Sequence, residues 1–159
     1  NTPTGTYKGD DGHTYAYYLF ESDGTLTVTT AGLLEVVLVS GGGGMRQGYS
    51  NGGGGRVVTG LHPLAAAAHP VKVGEAGEDS SNLASTFGGV SSLGPVETGQ
   101  EAAGQGSAGR NMAALETTIT GSPVFVSGRA AGDPKPSYGG GASSQRAQPG
   151  VVIAKTRLN

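Results

Sequence analysis

Between Leu33 and Gly60 the chain reads LLEVVLVSGGGGMRQGYSNGGGGRVVTG, two β-branched runs interrupted by two blocks of four glycines. The run Leu34–Val39 is too short for a buried helix and rich in valine, so it reads as a strand. Gly41–Gly44 and Gly52–Gly55 bracket the polar segment Met45–Asn51, and the chain then returns to Arg56-Val57-Val58. Strand, long glycine-rich excursion, strand is the plan, and the rest of the chain repeats it. Glycine supplies 31 of the 159 residues, against a usual share of about 7%. Each costs roughly 0.5–1 kcal/mol relative to alanine in regular structure, so something must return that cost. The candidates are close packing of backbone on backbone, as in polyglycine-II-like segments, and burial against other copies of the chain.

At this length the chain is expected to form one domain over 1–159 with a modest core. It has no cysteine, so neither a disulfide nor a thiolate metal site is available. No run of 18 apolar residues and no signal peptide stands out, which predicts no membrane insertion. The chain starts at Asn1 rather than Met, as a processed or partial polypeptide would. A net charge of −2 with ten scattered Lys and Arg gives no basic face for nucleic acid.

Residues 1–12 read as a polar, turn-rich segment ending in Asp10-Asp11-Gly12. Thr14–Glu21 is an aromatic-rich strand, Ser22-Asp23-Gly24 a hairpin turn, and Thr25–Thr30 a half-buried strand with Thr alternating. With Leu33–Ser40 these predict an antiparallel meander. After a strand over Arg56–Leu61, His62–Pro70 reads as a connection, because four alanines between prolines cannot sustain a helix. Val71–Val73, Thr86-Phe87, Val90–Leu93, Thr117–Thr120, Val124–Ser127 and Val151–Ala154 follow as short strands. Glycine-rich excursions fall at about 41–55, 94–114 and 128–150. The fold class expected is all-β: an antiparallel β-sandwich or jelly roll with long glycine-rich loop insertions.

No nucleotide motif survives inspection. A dinucleotide fingerprint starting at Gly41 or Gly42 needs glycine where Arg46 or Gln47 stands, and Gly43–Gly48 is followed by Tyr49, not Lys. Both motifs must also open a helix that holds the phosphate, whereas here the chain runs to another strand. His13, His62 and His69 share no metal-ligand spacing, and Asp10-Asp11-Gly12-His13 is first a turn. Glu75, Glu78 and Asp79 fall in a polar loop. No serine occupies a nucleophile elbow, so the reading is no enzyme, no catalytic residue, no cofactor and no metal. Met45, Arg46, Gln47, Tyr49 and Asn51 differ: held between glycine blocks, they have the composition of an adaptable contact surface.

The order of features resembles the glycine-rich domain of bacteriophage minor tail proteins, in particular those of siphophages infecting actinobacteria. The resemblance is carried by Tyr15–Phe20, GTLTVTTAG at Gly24–Gly32, VVLVSGGGG at Val36–Gly44 and GGGGRVV at Gly52–Val58. HPVKVGEAG at His69–Gly77, STFGGVSSLG at Ser85–Gly94, TTITGSPVFVSG at Thr117–Gly128 and PGVVIAK at Pro149–Lys155 continue it. The family's excursions are often nearly pure glycine, whereas Gly99–Gly109 carries Gln, Glu and Ala, and Gly128–Pro149 carries Arg129, Asp133, Lys135 and Gln145. The resemblance implies a non-enzymatic virion structural protein on the particle surface, assembled as a homo-oligomer, with a trimer as one form, among other virion proteins. It implies a tail-tip or tail-fibre domain whose loops attach to a host-surface glycan or protein. The alternatives are a capsid decoration or head-fibre protein on the capsid exterior, and a secreted glycine-rich wall protein.

Overall fold

A computed structural model describes residues 1–43, 54–76, 85–87, 90–91, 114–128, 130–142 and 146–158. The described residues form antiparallel sheets and contain no helix, hence none long and apolar enough to cross a membrane. Eleven strands follow in order: β1 Gly5–Lys8, β2 Thr14–Phe20, β3 Gly24–Val28, β4 Gly32–Val39, β5 Val57–Leu64, β6 Ala67–Lys72, β7 Thr86–Phe87, β8 Val90–Ser91, β9 Leu115–Thr117, β10 Val124–Val126 and β11 Val151–Arg157. A five-stranded sheet runs β1-β2-β11-β4-β5, a four-stranded sheet β3-β6-β7-β8, and β9 and β10 form a hairpin.

The last strand is the centre of the large sheet. β11 pairs with β2 (Val152 opposite Phe20, Lys155 opposite Tyr17) and with β4 (Val151 opposite Val39, Lys155 opposite Glu35). Successive side chains on a strand point to opposite faces, so an uninterrupted apolar run demands cover on both. Val151–Ala154 and Val36–Val39 are such runs, and all eight residues are buried. One face presents Leu34, Val36, Leu38, Val152 and Ala154, which form a cluster with Leu26, Val28, Val71, Val73 and Phe87 of the four-stranded sheet and its flank. The other presents Val37, Val39, Val151 and Ile153, which pack with Ile119 and Val126 of the hairpin region and, half-buried, Leu19, Val57, Val124 and Tyr138.

Three sequence expectations give way. The β2–β3–β4 meander does not form: β2 and β4 flank β11, and Ser22-Asp23 carries the chain into the other sheet, where β3 pairs with β6. A tight turn fixes where the chain reverses, but β11, more than a hundred residues later, takes the place beside β2. His62–Pro70 is not a connection, since β5 runs through Leu64, β6 begins at Ala67, and only Ala65-Ala66 lies between. Pro63 is tolerated because β5 is the sheet edge, where a missing N–H breaks no ladder. Residues 1–12 are not only turn, because Gly5–Lys8 forms β1, which adds to the edge of β2 with Tyr7 opposite Tyr15.

Candidate functional site

The contact residues expected from sequence, Met45, Arg46, Gln47, Tyr49 and Asn51, lie outside the described residues. The chain on both sides of them is described, and it is held backbone to backbone. Ser40 N–H donates to the Arg56 carbonyl at 3.0 Å, and Arg56 N–H donates back to Ser40 Oγ at 2.9 Å. Gly42 N–H donates to the Gln148 carbonyl (2.9 Å), Ala142 N–H to the Gly43 carbonyl (2.9 Å) and Gly55 N–H to the Gly139 carbonyl (2.7 Å). Around them Gly139 N–H donates to Pro149, Gly141 N–H to Gly128, Ala130 N–H to Gly141 and Gly150 N–H to Gly74. Neighbouring residues thus bond to different segments rather than along one ladder.

Side chains would break this junction. A methyl group at Gly42 would lie 2.9 Å from the Gly139 carbonyl oxygen and closer still to Gly140. At Gly54 it would meet Gly128 N at 2.5 Å and Ser127 Oγ at 2.6 Å, and at Gly41 the Glu75 carbonyl. Gly139 adds a second requirement, a φ of +70°, which residues with a β-carbon rarely adopt. Three fully buried serines tie the junction to the frame. Ser85 Oγ donates to the Val39 carbonyl (2.7 Å), Ser127 Oγ to Gly55 (2.5 Å) and Ser40 Oγ to Gly41 (3.3 Å). Each of these hydroxyls donates to a main-chain carbonyl, not to a histidine or carboxylate that could activate it as a nucleophile.

The histidines do not converge. His13 N–H is capped by Asp11 Oδ1 at 3.0 Å, His69 Nε2 lies 2.9 Å from the Ala65 carbonyl, and His62 Nε2 is buried with no hydrogen-bond partner among the described residues. Among the described residues no three His, Asp or Glu gather as a metal site. Glu75 is described, at the glycine junction; Glu78 and Asp79 lie outside the described residues.

A second feature escaped the sequence reading. Among the described residues, the hairpin covers only part of its face of the large sheet, and beyond Leu19 and Ile153 that face turns polar and aromatic. Register places Gly5, Tyr17, Lys155, Glu35 and Leu61 in one row, with Tyr7, Tyr15 and Arg157 in the next. Tyr7 and Tyr15 stack with ring centroids 5.6 Å apart. Lys155 Nζ lies 4.3 Å from the Tyr15 centroid and 3.2 Å from Glu35 Oε2. Glycines seat the rings: a methyl at Gly5 would strike Tyr17, at Gly121 Tyr7, and at Gly9 Tyr15. Tyr7 OH donates to the Ile119 carbonyl at 3.1 Å, tying this face to the hairpin region. The signal was present in Tyr15-x-Tyr17 and Gly5-x-Tyr7, whose period of two puts the tyrosines on one face.

Electrostatics follow from these contacts. Tyr15 OH donates a short hydrogen bond to Asp11 Oδ2. That bond, joined by the His13 N–H, lowers the Asp11 pKa, and the same bond raises that of Tyr15. Partial burial works to lower the pKa of Lys155, but hydrogen bonds with Tyr7 and Glu35 and the Glu35 charge outweigh it and the net shift is upward. The ammonium therefore stays charged.

No family model, no curated protein and no solved structure matches the chain.

Proposed function

We propose that this chain is a non-enzymatic virion protein, a tail-tip or tail-fibre domain that carries a contact segment to the host surface. The observation that supports it most is the glycine junction. Around the segment containing Met45, Arg46, Gln47, Tyr49 and Asn51, Ser40 bonds to Arg56, Gly43 to Ala142 and Gly55 to Gly139, so both ends are tied to the frame. A frame that pins both ends of a segment lets its sequence vary without disturbing the core. Copies on one particle would multiply weak contacts into avidity. The ordered likeness to phage glycine-rich tail domains supports the same reading, as does a sandwich-like plan in which the two larger sheets share one apolar cluster. Homo-oligomeric assembly belongs to the proposal. Leu33 and Leu61, 63% and 64% exposed on adjacent strands, are the apolar surface it would bury.

The test is localisation on the intact particle by labelled antibody or virion reconstruction, followed by exchange of Met45–Asn51 and binding to a panel of actinobacterial cells. Density at the tail tip and a host range that follows the exchanged segment are expected. Density spread over the capsid would replace attachment with a decorating role.

A further inference from the structure

We propose that the groove between the β1–β2 turn and the β9–β10 hairpin binds an uncharged sugar unit of a glycan. This deepens the attachment reading by naming a ligand class, and rests on that reading only for the source of the glycan. The groove has a volume of about 330 Å³, at the small end of ligand sites. Lys8 and Lys155 stand against Asp10 and Asp11 around it, and Glu35 and Arg157 beside it also cancel, so its formal charge is zero. Two ammonium groups disfavour a metal cation and two carboxylates disfavour a phosphate. What remains suited is a neutral molecule that both gives and accepts hydrogen bonds.

A pyranose has that chemistry. Its hydroxyls can donate to the carboxylates of Asp10 and Asp11 and accept from Lys155, while its C–H face needs an apolar contact. Tyr7 and Tyr15 line the groove half-buried; their faces are taken up by each other, Lys155 and Gly121, so it is their ring edges that supply the contact, since aromatic rings combine apolar area with a polar hydroxyl. The site is also pre-ordered. Gly9 N–H donates to the His13 carbonyl (2.8 Å) and Gly12 N–H to Gly9 (3.0 Å), so the turn is closed before any ligand arrives. Asp11 receives the His13 N–H and the Tyr15 hydroxyl, and a carboxylate has about four acceptor positions, which leaves room for a ligand hydroxyl. Little ordering cost remains to weaken binding.

The 159-residue chain would be screened on neutral oligosaccharides of glucose, galactose, mannose, rhamnose and N-acetylglucosamine, with uronate- and phosphate-bearing counterparts alongside. Hits would be titrated by amide NMR. The expected result is saturable shifts at Gly9–Asp11, Tyr15 and Lys155 with a neutral glycan. Thr118→Trp, an exposed position on the groove wall, should weaken binding at least tenfold with the melting temperature unchanged; should it unfold, Asp10→Asn gives the same test with a milder loss. Preference for the anionic glycans, no binding to any member of the set, or binding indifferent to both substitutions overturns the proposal. Cell binding separates the two readings. Cells and glycans bound equally by wild type and Thr118→Trp would sink the groove and leave attachment standing. A glycan in the groove without cell binding would do the reverse.

Discussion

Replacing Gly150 by alanine should be among the most damaging single-methyl changes this fold can receive. Gly150 leads into β11 and passes the end of β4 so closely that an added methyl carbon would lie 2.8 Å from Ser85 Oγ and 2.9 Å from the Ser40 carbonyl carbon. It would come nearer still to the Val39 oxygen. Two of these atoms belong to the main chain, and the third, Ser85 Oγ, is held by its hydrogen bonds with the Val39 carbonyl and the Gly74 N–H. The main chain must part, which costs about 1–3 kcal/mol as overpacking. Parting also strips the Gly150 N–H from the Gly74 carbonyl, now 2.9 Å apart, and each buried group left without a partner adds about 1–3 kcal/mol. The total is about 3–9 kcal/mol, against a net stability of about 5–15 kcal/mol. At this chain length that corresponds to a fall of roughly 6–36 °C in melting temperature. Gly32→Ala is the matched control, because Gly32 starts β4 with nothing within 4 Å of the added carbon and no positive φ. It should gain about 0.4–1 kcal/mol by restricting the unfolded chain. Thermal and urea unfolding of both variants decides the matter. A Gly150→Ala protein within 1 kcal/mol of wild type would refute close backbone packing as the reason for glycine at this position.

Ser85→Ala should cost about 2–6 kcal/mol in urea unfolding. The hydroxyl donates to the Val39 carbonyl (2.7 Å) and accepts from the Gly74 N–H (2.9 Å) at a fully buried position, so its removal orphans two main-chain groups. The Tyr138 pKa is pushed up to about 12, first by burial and then by its 2.6 Å hydrogen bond to Glu21. A phenol whose folded pKa exceeds the ordinary value near 10 stabilises the fold fully below pH 10. That contribution is lost as pH rises from about 10 to 12. Stability measured across this window should fall for wild type and less steeply for Tyr138→Phe; equal slopes would exclude Tyr138 as the cause.

How much of this was legible depended on the range of the cause. The strands at Val36–Val39 and Val151–Ala154 were plain, because continuous β-branched runs between turn residues have few alternatives. Their role as the doubly covered centre was not, since cover comes from Val71, Phe87 and Val126, which no local pattern links to them. β1 gives little local signal because Gly-Thr-Tyr-Lys holds one large apolar residue and pairs only with β2. The start of β6 is hidden because Ala67-Ala68-His69-Pro70 has low strand propensity, and pairing with β3 overrides it. The tyrosine face was written in the sequence at period two. That Glu35 and Lys155 join it depended on β11 lying between β2 and β4.

The glycine question has a physical answer at the described end of the frame. Gly41, Gly42, Gly54, Gly55, Gly140 and Gly150 each stand where a methyl would strike the main chain of another segment. At Gly42, Gly55, Gly140 and Gly150 the conformational cost is met by main-chain hydrogen bonds made at this close approach. Such a junction holds shape through backbone geometry and asks little of the side chains beyond it. The tyrosine groove follows the opposite principle: Tyr7 is set by Gly121 and Tyr15 by Gly9, so there glycine serves the side chains instead. If contact is made through both, a segment whose ends are held by the frame can change partner by substitution. A groove whose walls also hold Tyr7 and Lys155 in the sheet cannot change as freely. On the attachment and groove proposals, variation in host preference should therefore track Met45–Asn51, while the class of sugar bound should stay with the frame.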